Sequence, residues 1–446
     1  MSDTFAAINK SDAQPARVSS MLANSETIST YAGSWKFRPR HIVACRSVDD
    51  VRAAMREATA SSMRVRAMGF GNSWAPYLST TDVCLRLNGL NRIHRIDRER
   101  KTVVVDAGVK LGDLCNALAV RNLALPSLSF FPDVTVGGAI ATASHGTSLK
   151  WGTLSDFVRS MEVVLPSGEV KTFGPDSPPE ELRAARVAVG MLGVTVRVEL
   201  QIVDIPWVRF CELHMGLNDF IEQLPLILQK YEHVWAHWTL VDDSVRVECL
   251  EAREHQENGF HRYDVVWRPS ARRAVHLLNR MGLPTSLLLQ LRDRYRWAIR
   301  PLTNRKVSSD LESSNKKVFM SMQYGVSLPK LEQAVHKIKT SSFAGLNPGR
   351  VVEFKFLRGN SLSFLGPNAD SDAVLFNLWW LVDDQSKLTV FDPFEKTMRE
   401  LCAKPHWGKF HRAPDQKYMR ISYPRWTEFE AVRSRHDPNG TLSIFN

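Results

Sequence analysis

Three short motifs, far apart in the chain, constrain its fold more than anything else in it. Met68-Gly69-Phe70-Gly71-Asn72-Ser73 follows a short apolar run. Val134-Thr135-Val136-Gly137-Gly138-Ala139-Ile140-Ala141-Thr142-Ala143-Ser144-His145-Gly146 is dense in Gly, Ala, Thr and Ser. Pro405-His406-Trp407-Gly408-Lys409 stands near the far end. Gly69 and Gly71 let backbone N–H groups approach a diphosphate with no side chain in the way, and Ser73 adds a hydroxyl. Taken alone, the turn is equally a tight turn without a ligand. It fails the dinucleotide fingerprint, because no third glycine opens a helix and no ribose-binding acid follows a strand. In the second motif Gly137 and Gly138 permit close backbone approach, and Thr135, Thr142, Ser144 and His145 supply small donors. A flat ligand lying on backbone is one reading; a small-residue helix packed in a core is the other.

Local patterns place these motifs on an α+β framework. His41-Ile42-Val43-Ala44 reads as a strand. Ser47 caps a helix with Asp49 and Asp50 in its first turn and Val51, Ala54, Met55 and Ala58 on its apolar face. Met63–Met68 is the next strand and runs into the glycine turn. Strands are expected at 83–87, 102–107, 160–165, 170–173 and 194–203, with a helix over 111–122 and a turn at Pro166-Ser167-Gly168-Glu169. Beyond Pro206 strands are expected at 234–248, 318–324, 351–356 and 373–382. Helices are expected at 217–230, 271–281, 330–339 and 392–402.

The length of 446 residues favours two domains over one core. We expect a mobile segment at 1–29, an α+β domain over 30–205, a second α+β domain over 206–404, and a tail, 405–446, too short to fold alone. The six cysteines form no paired spacing, so no metal site is expected and a reduced, cytoplasmic setting is. The N-terminus lacks a basic region followed by an apolar one, which argues against a secretory signal. The net charge of +11 concentrates between Arg272 and Lys306, interleaved with leucines. That stretch reads as amphipathic helices with solvated basic faces, or as a surface for anionic lipid or an acidic partner. No nucleic-acid partner is expected, because no recognised module carries the charge.

In this order, the motifs resemble the FAD-linked oxidases of the vanillyl-alcohol oxidase type, and within them the aldonolactone oxidase branch. Val352-Glu353-Phe354-Lys355, with Arg358-Gly359 behind it, and His406-Trp407-Gly408-Lys409 are the branch-specific signals. The resemblance implies a two-domain FAD-binding fold with a substrate-binding cap domain, completed by the tail. It implies FAD as cofactor, a small alcohol or lactone as substrate, and oxygen or another acceptor for the electrons. Gly69 to Ser73, Phe70 and Asn72 included, would wrap the diphosphate, and Thr135 through His145 would line the diphosphate, ribityl and flavin. Gly190 to Val194, with Gly193, would meet the adenosine end. Glu353 would face substrate hydroxyls, and His406 and Lys409 would lie beside the ring system. Ser129 matches a small residue that controls oxygen access.

Two departures qualify that picture. Asn72 stands where many members carry a flavin-linked histidine, so FAD is expected to be non-covalent. Lys355 stands where the branch usually has arginine, and it lacks the planar fork that grips two oxygens. Oxidation of an alcohol carbon needs a cation to balance charge on the reduced cofactor, Lys355 or Lys409, and a group to take the hydroxyl proton. For that proton Glu353, His406 or a lysine could serve. The other reading of Glu353 and Lys355 is a surface ion pair on one strand face. A same-fold enzyme acting on a non-sugar intermediate, and a flavin-binding protein without turnover, are the competing functions.

Overall fold

The computed structural model describes residues 26–129, 131–262, 318–346, 351–382, 385–412 and 416–445. The expected helix at 271–281 and the basic stretch 272–306 lie outside them. Near the N-terminus, strands β1 (His41–Ala44), β2 (Val65–Met68) and β3 (Val83–Arg86) form a parallel sheet with β3 in the middle. Between β1 and β2 runs helix Val48–Ala60. Ser47 Oγ accepts from the Asp50 amide and Asp50 returns the bond to the Ser47 amide, a full capping box. Its face of Val51, Ala54, Met55 and Ala58 is buried, as the spacing predicts.

An antiparallel sheet follows, built from β4 (Ile93–Asp97), β5 (Thr102–Asp106), β6 (Val158–Val164), β7 (Val170–Phe173) and β8 (Val194–Gln201) in the order β7-β6-β8-β5-β4. The turn Leu165–Glu169 joins β6 to β7, with Gly168 at φ +79°. Helix Val136–Ala141 lies among the small-residue motif, capped by Thr135.

The third sheet organises the rest of the molecule. It comprises β9 (Trp207–Gly216), β10 (His233–Thr239), β11 (Ser244–Arg253), β12 (His261–Arg262), β13 (Val318–Ser327), β14 (Val351–Leu357), β15 (Ala373–Val382) and β16 (Lys404–Pro405), ordered β12-β9-β11-β10-β14-β15-β13-β16. The single strand expected over 234–248 is two. Asp242 accepts from the backbone and hydroxyl of Ser244 and Asp243 turns through φ +54°, so the chain reverses there. Strand β9 escaped the sequence reading because its alternating residues are only half buried. One sheet face is apolar and packs on helices Leu217–Lys230 and Leu331–Thr340 through Ala236, Trp238, Met322, Phe354 and Phe376. No helix among the described residues is long and apolar enough to cross a membrane.

The tail wraps the first half of the chain. Helix Trp426–His436 packs on helix Pro179–Arg186, where His436 meets the buried Glu181 at 3.1 Å. Thr441 O then accepts from the Val65 amide, extending the chain along β2.

Candidate active site

The glycine turn leaves β2 with its donors unused. Among the described residues no backbone N–H of Gly69, Phe70, Gly71, Asn72 or Ser73 meets a protein acceptor. Five consecutive amide donors without partners suit an anion such as a diphosphate. Gly71 sits at φ +73°. A Cβ on Gly69 would fall 2.3 Å from Thr135 Cγ2, so only glycine brings this turn against the second motif.

The second motif contains a short helix, Val136–Ala141. Thr135 Oγ1 accepts from the Gly138 amide at 3.1 Å and Thr142 Oγ1 donates to Gly138 O at 2.8 Å. These two hydroxyls, expected as ligand donors, close their own helix. Gly137 backs onto Ala107, whereas Gly138 is exposed. Ser144 is half-buried, and Ser129 Oγ is buried without a hydrogen-bond partner among the described residues. Such an orphan hydroxyl fits a site for a polar group of a ligand. Gly193 is required by Val163, whose Cγ1 would lie 2.3 Å from a Cβ, and the Val194 side chain is in the core. Any contact from this pair to a cofactor is therefore through backbone.

His406 to Lys409 forms a turn pinned at both ends to β13. The His406 amide donates to Gln323 O and the Phe410 amide to Ser321 O. Trp407 is the anchor: it is buried, donates Nε1–H to Leu365 O at 2.9 Å and stacks on Tyr423. Gly408 O accepts from the Trp74 amide at 3.0 Å and from Ser73 Oγ at 3.3 Å. The His406 and His145 rings lie 5.4 Å apart. The three motifs thus meet at one place.

Facing them is the second face of the large sheet, polar and buried. Glu353 and Lys355 are 6% and 5% exposed, which rules out the surface ion pair. Lys409 Nζ donates to Asn377 Oδ1 at 2.7 Å and to Gln323 Oε1. Asn377 Oδ1 also accepts from Ser321 Oγ, and its Nδ2 donates to Glu353 Oε2 at 2.8 Å. Gln323 Nε2 donates to His145 Nε2 at 3.0 Å, while His145 Nδ1–H donates to Gly146 O. Lys355 Nζ lies 4.9 Å from the centroid of the Trp235 ring.

Burial governs the charge states. It pushes Lys409 well below the ordinary lysine range, helped by the nearby Lys355 charge, and it lowers Lys355 against the pull of Glu353. It takes His145 down to about 3, with Lys355 and Lys409 adding to the effect, and holds His406 well below its usual value. The sequence reading missed Ser321, Gln323, Asn377 and His237. For Ser321 and Gln323 the signal is the alternation Met320-Ser321-Met322-Gln323-Tyr324, which reads as a half-solvated strand until the opposite half of the molecule covers it.

Residues 39–174 match the FAD binding domain family and residues 198–444 the D-arabinono-1,4-lactone oxidase family. L-gulonolactone oxidase of Bos taurus is 26% identical over 88% of this chain and 91% of its own length. L-gulono-1,4-lactone dehydrogenase of Mycobacterium tuberculosis is 26% identical over 92% and 96%. Alditol oxidase of a Streptomyces species is 25% identical over 81% and 84%. Cholesterol oxidase from Brevibacterium sterolicum superposes with a TM-score of 0.70, at 13% identity over 98% of both chains, and shares the fold.

Proposed function

The chain belongs to the D-arabinono-1,4-lactone oxidase family, and on that premise we propose that it oxidises a CH–OH group of a sugar lactone or polyol, with FAD held non-covalently. FAD supplies the two-electron acceptor for the hydride that leaves the carbinol carbon. The unpaired amides of Gly69–Ser73 would hold its diphosphate. Asn72 Nδ2 is tied to Asp133 O at 2.7 Å, and an amide forms no flavin bond, which supports non-covalent binding.

The observation that carries the reading is the pair of bonds from Lys409 Nζ to Gln323 and Asn377. A neutral amine has two N–H bonds and one lone pair. With both N–H groups spent on amide oxygens, the lone pair is left for the proton of the substrate hydroxyl. The depressed pKa of Lys409 makes the neutral form accessible. As that proton reaches Nζ, the carbon loses its hydride and the C–O bond becomes a carbonyl. Glu353, oriented by Asn377, would accept a neighbouring substrate hydroxyl. Lys355 would supply positive charge where the reaction deposits negative charge. In this proposal residues 30–205 hold the cofactor, 206–404 read the substrate, and 405–446 close the site. Oxygen or another acceptor re-oxidises the cofactor, and the small Ser129 favours oxygen.

The test is an absorbance spectrum before and after acid precipitation, followed by anaerobic addition of L-gulono-1,4-lactone and of alditols. We expect flavin bands that move to the supernatant and bleach with at least one donor. Flavin left in the pellet would overturn the non-covalent assignment. Bound flavin that no donor bleaches would overturn the oxidation reading.

A further inference from the structure

We infer that His237, with Glu248 beside it, forms a distal subsite that binds a substrate hydroxyl remote from the oxidised carbon, so that the sheet face selects donors by length. The inference rests on the proposed oxidation at Lys409.

A single cross-strand row links the two ends. Arg246 on β11 pairs with His237 on β10, His237 with Glu353 on β14, Glu353 with Asn377 on β15, and Asn377 with Gln323 on β13. Residues directly opposed across neighbouring strands share a face. Lys409 is bonded to the Gln323 and Asn377 end of the row. His237 lies two strands beyond Asn377, about 10 Å away at ordinary strand spacing.

His237 is buried, at 9% exposure, yet its Nε2 has no hydrogen-bond partner among the described residues. Glu248 Oε1 lies 3.3 Å from Nε2, and Glu353 Oε1 lies 3.8 Å from Nδ1, too far for a hydrogen bond. The Trp235 ring packs on the imidazole with centroids 4.5 Å apart and fixes its plane. A buried imidazole nitrogen without a hydrogen bond, although a carboxylate oxygen lies 3.3 Å away, is a costly arrangement without a ligand.

The surrounding chemistry defines what fits. A hydroxyl can donate to Glu248 or Glu353 and accept from an imidazole N–H in one pose. Two carboxylates, one of them paired with Arg246 Nη2 at 3.5 Å, leave no net positive charge to hold an anionic group. The subsite therefore takes the neutral, hydroxylated end of a donor whose reacting hydroxyl is at Lys409. A chain of about five or six hydroxylated carbons bridges the two ends, and a three-carbon donor does not.

The experiment measures anaerobic flavin bleaching with glycerol, erythritol, xylitol and sorbitol. It adds L-gulono-1,4-lactone against α-hydroxy-γ-butyrolactone, which keeps a ring hydroxyl but lacks the hydroxylated side chain. Wild type, His237→Leu and His237→Gln are compared. We expect kcat/KM to rise with length in the wild type. His237→Leu should lose about tenfold on xylitol, sorbitol and gulonolactone while the short donors stay within about twofold. Glutamine, which restores a polar group at the Nε2 position, should recover part of the loss. A uniform loss across donors, or no loss on the long ones, overturns the subsite. Bleaching of the wild type with no length preference overturns it alone. No bleaching of the wild type by any donor removes the oxidation reading and the subsite together.

Discussion

Lys409 Nζ donates to Asn377 Oδ1 at 2.7 Å, joining the C-terminal turn to a central strand of the large sheet. Asn377 passes the connection on to Glu353, and Gln323 passes the other Lys409 bond on to His145. The amine thus feeds a donor chain that ends in a carboxylate on one side and an imidazole on the other. Its position is set by Gln323 and Asn377, and its protonation state by burial and the nearby Lys355 charge.

Replacing Lys409 by Met should leave FAD bound and slow flavin reduction by about 10²–10⁴-fold, the range of a lost general base. Lys409→Arg should be equally slow, because a guanidinium does not release its proton. In the native protein the reduction rate should rise with pH, since the deprotonated amine is the active form. Its midpoint should fall below that of a free lysine. Stopped-flow reduction across pH checks this; an unchanged rate in Lys409→Met would remove the assignment.

Gly69→Ala should weaken FAD binding at least about tenfold. The new Cβ would meet Thr135 Cγ2 at 2.3 Å and Oγ1 at 2.5 Å, and Thr135 caps the helix at 136–141. Relief requires moving either the cradle or the cap, at about 1–3 kcal/mol. Fluorescence titration of the apoprotein with FAD measures the change, and native affinity would contradict the packing described for the turn.

Asp437→Ala should destabilise the fold by about 2–4 kcal/mol, because two buried amides lose their acceptor. Asp437 is fully buried and accepts from the Thr441 and Leu442 amides at 2.9 Å each. Leu442 O in turn accepts from Arg66 Nη1 at 2.9 Å, and Arg66 also donates to Val189 O and Gly190 O. Release of residues 437–445 should therefore loosen the 189–194 turn as well. Denaturant melts and carboxypeptidase digestion test it; a variant as stable and as resistant as the wild type would refute the clamp.

Stability should fall as pH drops from 7 to 5. His145 and His411 have folded pKa values pushed down to about 3 by burial, against an unfolded value near 6.5. The unfolded chain takes up protons first, so stability is present above pH 6.5 and is lost on the way down, about 2 kcal/mol per histidine by pH 5. Asp156 and Glu395, whose carboxyls burial raises, act in the opposite direction. The single variant His411→Phe is therefore the decisive comparison: it should remove about 2 kcal/mol of the pH-dependent loss. An unchanged slope would show that His411 is protonated in the fold.

Local elements were largely legible. The capping residues of helix Val48–Ala60, the whole of helix Leu217–Lys230 and the span of β15 follow from caps and periodicity acting over a few residues. The Asp242-Asp243 reversal was present in the sequence as turn chemistry and was overridden by the run of β-formers around it. Strand β9 and the polar residues of β13 were not legible, since a half-buried strand and a solvated one share the same alternation, and Asn377 on β15 is a single polar residue inside an apolar run.

Which residues share a face, where glycine is obligatory and which turn carries Lys409 can be read along the chain. Those are consequences of backbone geometry and hold wherever the segment is placed. Only the tertiary structure decided that Ser321, Gln323, Glu353, Lys355 and Asn377 face protein rather than water. Alternation along a strand fixes the side a residue points to and says nothing of what covers that side. The cover comes from distant parts of the chain, His145 bonded to Gln323 and the turn at 406–409 pinned to β13, and it excludes the water that would otherwise hold Lys355 and Lys409 at their ordinary pKa values.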